Sequence, residues 1–359
     1  MSKLIIKNIL VTGGAGFIGS NFVDYWLKNN QGNVIVLDLL TYAGNLSSLS
    51  KFKSNERFSF YQGDIADKEL VGELLAKHEI NCIVNFAAES HVDRSISGAT
   101  PFIFTNIVGT FELLECAKQF WLTHPNFKEN HRFHHISTDE VYGSLTSDDA
   151  PFKESNQYQP NSPYSASKAS SDHLVRAYHH TYGLNVTTSN CSNNYGPLHF
   201  PEKLIPLAIL NILHDKPIPV YGNGQQIRDW LFVDDHCLGI DLILQKGIVG
   251  ETYNIGGNNE LKNIDLIHRL CELMNYKFAN NASLEAQYPN ALSAINGQSE
   301  KLITFVQDRP GHDVRYAIDA SKAMDELGYC PNYNFSNALE TTVNWYLNNN
   351  NWWLPLYHQ

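Results

Sequence analysis

The chain has 359 residues, 43% of them hydrophobic and 18% charged, an ordinary globular balance that excludes wholesale disorder. With 37 acids against 26 lysines and arginines, the formal net charge is −11. That balance argues against a nucleic-acid-binding surface, and an anionic ligand would need a local cluster of cations.

The first segment, MSKLIIKNILVTGG, is interrupted by Lys7 and Asn8 and runs into a glycine-rich turn. It reads as a first buried strand at 8–12 rather than a signal peptide. A helix follows at 17–29, a strand at 34–38, a third strand at 58–64, a helix at 67–78 and a strand at 82–88. Residues 101–120 have helical periodicity, and RFHHI (132–136) is the next strand. Strands alternating with helices predict an α/β fold with a doubly wound parallel sheet of the Rossmann type.

From about residue 190 the pattern loosens into NCSNNYGP, KPIPVYGNG and DRPGH. This half reads as a smaller, loop-rich α/β region that closes over a site. The expected division is 1–190 for the cofactor, with segments near 229–260 returning to it, and 191–359 mainly for the substrate. No run approaches the roughly 20 apolar residues needed to span a bilayer. The six cysteines lie far apart with no C-x-x-C pair, which argues against disulfides and zinc and fits a reducing cytoplasm. No metal is implied. LNNNN (347–351) reads as the polar end of the last helix, and the three C-terminal tryptophans as core.

Residues 12–19, TGGAGFIG, space Gly13, Gly16 and Gly19 three apart between the first strand and the first helix. Glycines permit a tight turn and close backbone approach, and free N–H groups at a helix start hold a pyrophosphate. Asp38 ends the next strand, where it can take both ribose hydroxyls and would repel a 2′-phosphate. The pattern therefore predicts a dinucleotide, and NAD rather than NADP, since Leu39 and Leu40 follow the acid. GDI (63–65) and FAAES (86–90) end the third and fourth strands, where adenine and nicotinamide-ribose contacts would fall.

SPYSASK (162–168) sets Tyr164 and Lys168 at i and i+4 on one helix face, with Ser162 as N-cap and Pro163 at the first helical position. A free phenol near pKa ~10 is a poor base. A neighbouring ammonium and a helix N-terminus would lower that value. Upstream, STDEVYG (137–143) puts Asp139 beside Glu140. Adjacent strand residues face opposite ways, so both acids reach one cleft only if the strand ends near Ser137.

Together with AAESHVDRS (87–95), NCSNNYGP (190–197), FPEKLIP (200–206), RDWLFVDDH (228–236) and DRPGHD (308–313), these motifs resemble the dTDP-glucose 4,6-dehydratases of the extended short-chain dehydrogenase/reductase family. The resemblance runs over nearly the whole chain. It implies a reaction without net redox: oxidation at C4 of the glucose, loss of water across C5 and C6, and return of the hydride to C6. By the family pattern Tyr164, supported by Lys168, takes the 4-hydroxyl proton and Thr138 holds the 4-oxygen. Glu140 removes the C5 proton, and Asp139 protonates the departing 6-hydroxyl. Two neighbouring acids can divide the ionised and protonated states between them.

The same resemblance implies cofactor contacts from Gly13, Gly16, Phe17, Ile18, Gly19, Asp38, Leu39 and Thr41. Further cofactor contacts are implied for Asp64, Ile65, Ala87, Ala88, Ser90, Thr105, Tyr164, Lys168 and Asn194. For the nucleotide sugar it implies Ser90, Thr138, Asp139, Glu140, Asn193, Lys203 and Leu204. Pro219, Tyr221, Arg228, Asn263, Asp308, Arg309 and His312 complete that set, with Tyr221 against the nucleobase. A homodimer pairing helices 101–120 and 163–182 is the family pattern.

Two stretches, 120–133 and 280–301, exceed the usual length and are polar enough for surface loops. The competing readings are a UDP-glucose 4,6-dehydratase or 4-epimerase of the same family, and a non-catalytic NAD-binding regulator. The last has no use for Asp139, Glu140, Tyr164 and Lys168.

Overall fold

The computed structural model describes residues 4–357. Short apolar, β-branched runs form β1 (Asn8–Thr12), β2 (Asn33–Asp38), β3 (Phe58–Gln62) and β4 (Cys82–Asn85). They are joined by α1 (Phe17–Asn29), by α2 (Lys68–Lys77) and, between β2 and β3, by a 3₁₀ segment at Leu46–Phe52. After β4 come α3 (Val92–Ser97), α4 (Thr100–Phe102) and α5 (Thr110–Thr123). β5 (Arg132–Thr138), α6 (Pro163–Tyr182) and β6 (Val186–Cys191) complete the first half.

All pairings in the large sheet are parallel, in the order β10-β6-β5-β4-β1-β2-β3, where β10 is Thr252–Ile255. The order of strand addition reverses between β1 and β4, so the loops leaving those two strands diverge and open a crevice at their carboxyl ends. One face is covered by α1 and by α8 (Val233–Lys246), whose Val233, Cys237, Ile240 and Leu244 join Phe22, Val23 and Trp26 in one core. The other face buries Val71 and Leu74 of α2, Leu113 and Trp121 of α5 and Val175 of α6.

The second half contributes β7 (Asn193–Tyr195), β9 (Ile227–Phe232) and β11 (Glu260–Lys262) as a three-stranded sheet. A pair is made by β8 (Ile218–Tyr221) and β12 (Ile303–Val306). This half is more helical than its Pro- and Asn-rich sequence predicts. α7 (Leu204–Leu213), α9 (Asn263–Asn280) and α13 (Phe335–Asn348) share a core with Trp353 of α14 (Asn350–Tyr357). The 347–351 run is therefore a break between two helices, not the end of the last one. A further short helix, α12 (Ser321–Leu327), packs near β10.

Both long stretches are folded into the core rather than left as surface loops. In the first, Phe127 is buried, and His131 stacks on Trp121 with centroids 4.8 Å apart. His131 also donates to Phe127 O at 2.8 Å and accepts from Asn185 N–H at 3.0 Å, which satisfies its polar ring in the interior. In the second, α10 (Ala282–Gln287), α11 (Leu292–Ile295) and the turn between them bury Leu284, Tyr288, Ala291 and Ala294 against α7, α9 and α13. Apolar residues spaced through these polar stretches outweigh their overall composition.

The helix predicted at 101–120 is interrupted: Ile103–Gly109 is a π-helical turn between α4 and α5. Asn106 within it donates to Glu89 O (3.0 Å) and Ser167 Oγ (2.8 Å) and accepts from Glu89 N–H (2.8 Å). Those tertiary bonds hold a turn that local propensity does not favour.

Candidate active site

The crevice at the carboxyl ends of β1 and β4 deepens into a cleft of about 700 Å³ that the second half walls on its far side. This is the size range of cofactor and ligand pockets. With one exception, every residue expected to touch cofactor or sugar lines it. They run from Gly13, Gly16, Phe17, Ile18, Gly19, Asp38, Leu39 and Thr41, through Asp64, Ile65, Ala87, Ala88, Ser90 and Thr105, to Thr138, Asp139, Glu140, Tyr164, Lys168, Asn193 and Asn194. Lys203, Leu204, Pro219, Tyr221, Arg228, Asn263, Arg309 and His312 come from the second half.

Asp308 is the exception. Its exposed carboxylate accepts from His312 Nδ1 (2.6 Å), Gln226 Nε2 (2.9 Å) and Arg309 N–H (2.9 Å). It braces the 308–312 turn from behind and leaves the cleft to Arg309 and His312.

The glycine turn is a cradle that side chains would fill. Gly13 has φ +65°, and a Cβ there would lie 2.7 Å from Ala87 N. A Cβ on Gly19 would press on the Gly13 carbonyl oxygen and lie 2.8 Å from Gly14 Cα. α1 follows Gly16, which offers no side-chain cap, and has no acid in its first turn, whereas α2 is capped by Asp67. An uncapped helix start over a backbone this open fits a dinucleotide pyrophosphate. Asp38, at the end of β2, also accepts from Ala15 N–H and Leu40 N–H, each at 2.8 Å, so it shapes the turn as well as facing the cleft.

β5 runs through Thr138, one residue beyond the expected end. Asp139–Tyr142 then form one 3₁₀ turn, with Thr138 Oγ1 accepting from Glu140 N–H at 3.3 Å. The turn, rather than a strand end at Ser137, lets both carboxylates line the same cleft. Their surroundings differ. Asp139 is 2% exposed, its Oδ2 has no partner, and burial with the Glu140 and Asp229 carboxylates nearby pushes its carboxyl well up. Glu140 is also raised by burial, but Arg309, Arg228 and Lys203 oppose that shift. Of the two, Asp139 is therefore the one pushed further toward holding its proton.

α6 starts with a reciprocal box between Ser162 and Ser165, and Pro163 occupies its first turn. Tyr164 and Lys168 are both buried at its inner face, and Lys168 Nζ donates to Ile136 O at 2.7 Å and lies 3.4 Å from His135 Nε2. The expectation of a phenol lowered by this lysine is not met. Burial, then the Glu140 carboxylate, raises Tyr164 well above the ordinary phenol value, with the Thr138 hydroxyl partly opposing. Desolvation of the phenolate outweighs the helix start and the ammonium, which is spent on the Ile136 carbonyl.

Two cations wait in the far wall. Arg228 is 5% exposed, stacks 4.3 Å over Tyr316, and bonds only carbonyls, those of Ile227 (2.7 Å) and Asp313 (3.0 Å). No carboxylate lies within salt-bridge distance of it among the described residues. Arg309 pairs with Asp93 at 3.0 Å but keeps a buried, unpartnered Nε. Asn193 Oδ1, Asn263 Oδ1 and Trp230 Nε1 are likewise buried without partners. The buried guanidinium and the indole N–H suit an anion, while the two amide oxygens suit hydroxyl or N–H donors beside it.

The chain matches the model of the GDP-mannose 4,6 dehydratase family over residues 10–342. It is 54% identical over 349 residues to a dTDP-glucose 4,6-dehydratase of Neisseria meningitidis, covering 97% of this chain and 95% of that one. The identity to a dTDP-glucose 4,6-dehydratase of Escherichia coli is 53% over 354 residues, with 96% and 95% covered. The chain belongs to the dTDP-glucose 4,6-dehydratase family. A solved dTDP-glucose 4,6-dehydratase of Streptomyces venezuelae with NAD bound superposes with a TM-score of 0.86 at 45% identity, covering 97% of this chain and 99% of that one.

Within this dehydratase family member, the cleft also contains residues that the sequence reading passed over. Asp93 takes Arg309 and, at 3.1 Å, the Tyr221 hydroxyl, so it spans the mouth from the first half to the second. Cys191, at the end of β6, sits among Asp139, Tyr164 and Lys168 and donates to Ser137 O at 3.3 Å. Glu89, His199, Phe200, Glu202 and Trp230 also line the cleft. Asp93 and Glu202 stand inside the quoted motifs, but nothing in their local spacing announces a partner more than 100 residues away.

Among the described residues, no helix is long and apolar enough to cross a membrane and no acid, histidine and cysteine cluster could hold a metal.

Proposed function

We propose that this chain converts dTDP-glucose to dTDP-4-keto-6-deoxyglucose and water. The single observation that carries the elimination is that one 3₁₀ turn brings Asp139 and Glu140 into the cleft that Tyr164 also lines, with Asp139 Oδ2 buried and without a partner. When bound, NAD accepts the hydride from C4 and gives it back at C6. The residues that would hold it are those of the glycine turn with Asp38, Asp64 and Ile65, Ala87, Ala88 and Thr105.

Tyr164 takes the 4-hydroxyl proton, and Thr138 holds the same oxygen. Burial and the Glu140 carboxylate hold the phenol's proton, so a positive charge held beside Tyr164 would favour the phenolate. Glu140 takes the C5 proton, now acidified by the 4-ketone, and Asp139 gives its proton to the leaving 6-hydroxyl. Bases and acids positioned this way typically contribute 10²–10⁴-fold each, on the order of a few kcal/mol. Arg228 and Arg309 hold the diphosphate with Asn193 and Lys203, while Leu204, Pro219, Tyr221, Asn263 and His312 surround the nucleoside.

The surface of the 96–111 region exposes Ile96, Ile103, Phe104 and Phe111 beside α6, an apolar face that supports a homodimer through α5 and α6. All six cysteines are free thiols, which supports a reducing cytoplasm as the place of work.

The deciding assay incubates the purified protein with dTDP-glucose and with UDP-glucose and identifies the products. A 4-keto-6-deoxy sugar from dTDP-glucose is expected. A simple 4-epimer, or turnover confined to UDP-glucose, would sink the reading. Sedimentation of Phe104→Glu against the unaltered chain tests the dimer, with monomers expected for the variant.

A further inference from the structure

Residues 197–203 of the second half lie across the cofactor end of the cleft. Pro197 O accepts from Asn21 Nδ2 at 3.0 Å, and the same amide nitrogen holds Phe17 O at 2.9 Å on α1. His199 stacks on Phe17 with ring centroids 4.1 Å apart and planes inclined by 14°. From behind, the buried Tyr346 hydroxyl donates to His199 O. Phe200 then meets Tyr42 edge-on at 5.6 Å, and the Arg94 guanidinium lies 3.8 Å from the same ring. Glu202 pairs with Arg94 at 3.1 Å and with His91 at 3.5 Å, and Lys203 Nζ donates to Ser90 O at 3.1 Å.

In chain order the segment thus touches the start of α1 and the loops after β2 and β4, beside the turns that carry most of the expected cofactor contacts. His199 Nδ1 is buried without a partner, and its ring lines the cleft. A reaction that removes a hydride and later returns it needs one cofactor molecule to stay for the whole turnover. A freely exchanging cofactor would leave this edge open.

We propose that residues 197–203 are a clasp that retains NAD, with His199 an additional cofactor-site residue that closes over Phe17 at the pyrophosphate turn. The clasp belongs to the same segment as Lys203 and Leu204, so the part of the chain that receives the sugar nucleotide also shuts in the dinucleotide. The inference rests on the NAD-dependent reading above.

The test uses the full-length protein and reads retention, not activity. Bound NAD per chain is measured after gel filtration, and exchange against isotopically labelled NAD is followed by mass spectrometry. The unaltered chain should keep its NAD and exchange it slowly. Asn21→Ala and His199→Ala should each exchange roughly tenfold faster, the scale of one lost hydrogen bond or ring stack. Asn21 does not line the cleft, so its effect reports the clasp rather than a lost ligand contact. Thermal melts of both variants guard against misfolding, and Asn21→Ala, on an outer helix turn, serves if His199→Ala fails to fold. Exchange in Asn21→Ala as slow as in the unaltered chain would overturn the clasp. If the unaltered chain turns over dTDP-glucose yet loses NAD on the column, retention is wrong and the enzymatic reading stands. If it neither binds NAD nor turns over, both fail.

Discussion

Lys168 Nζ donates to the carbonyl of Ile136 at 2.7 Å, which ties the helix carrying Tyr164 to the strand that ends in Thr138. One buried ammonium therefore sets the register between the base and the two acids. Lys168→Met removes both the charge and this tether. Initial oxidation should slow by about 10²–10⁴-fold. Single-turnover appearance of reduced nicotinamide measures it, and a rate within a few-fold of the unaltered enzyme would refute the role.

Glu140→Gln keeps the shape of the 3₁₀ turn and removes the base for the C5 proton. Oxidation at C4 should still occur, so reduced nicotinamide should accumulate and no 6-deoxy sugar should form. Absorbance of the enzyme-bound cofactor with product analysis checks this. Normal turnover by this variant would move the base elsewhere.

Asp139 gives a prediction about pH. Its carboxyl is raised by burial and by the neighbouring Glu140 and Asp229 carboxylates. The folded chain therefore holds this proton more tightly than the unfolded one. Its contribution to stability is most favourable below the unfolded value of about 3.9 and declines as pH rises toward the folded pKa, by about 1.4 kcal/mol per unit of the raise. Asp139→Asn should remove that loss, so the variant should gain melting temperature over the unaltered chain as pH rises from acid to neutral. Its elimination step should fail at every pH. Parallel melting curves across that range would contradict the assignment.

Gly19→Ala tests the cradle. The added methyl meets Gly13 backbone and can be accommodated only by moving α1 off the turn. A loss of about 1–3 kcal/mol is expected from such overpacking, together with loss of bound NAD. Denaturant melts and cofactor content report the two effects separately.

The cofactor half was legible because its signals are local. Alternating β-branched runs gave β1 and β2, and Ser162-Pro163 marked the start of α6 to the residue. The π-helical turn was not legible, because it depends on Asn106 reaching Glu89 and Ser167, and on Gly109 packing against Ile65. α7, LIPLAILNIL, is apolar nearly all round and so lacks the one-sided stripe that reveals a helix. Most cleft-lining residues could be named from motifs, yet the surroundings that distinguish Asp139 from Glu140 come from Asp229, Arg309 and Lys203, far away in sequence. Charge balance inside a cleft is a tertiary property.

The outer strand β10 pairs with β6 although β7, α7, β8, β9 and α8 lie between them in the chain. During synthesis, β6 therefore emerges and docks on β5 long before its other neighbour exists. Until then it is an open edge, a template on which a second nascent chain can pair. A chain cut short before residue 252 would keep that edge permanently, so truncated products of this protein are expected in aggregates rather than in solution.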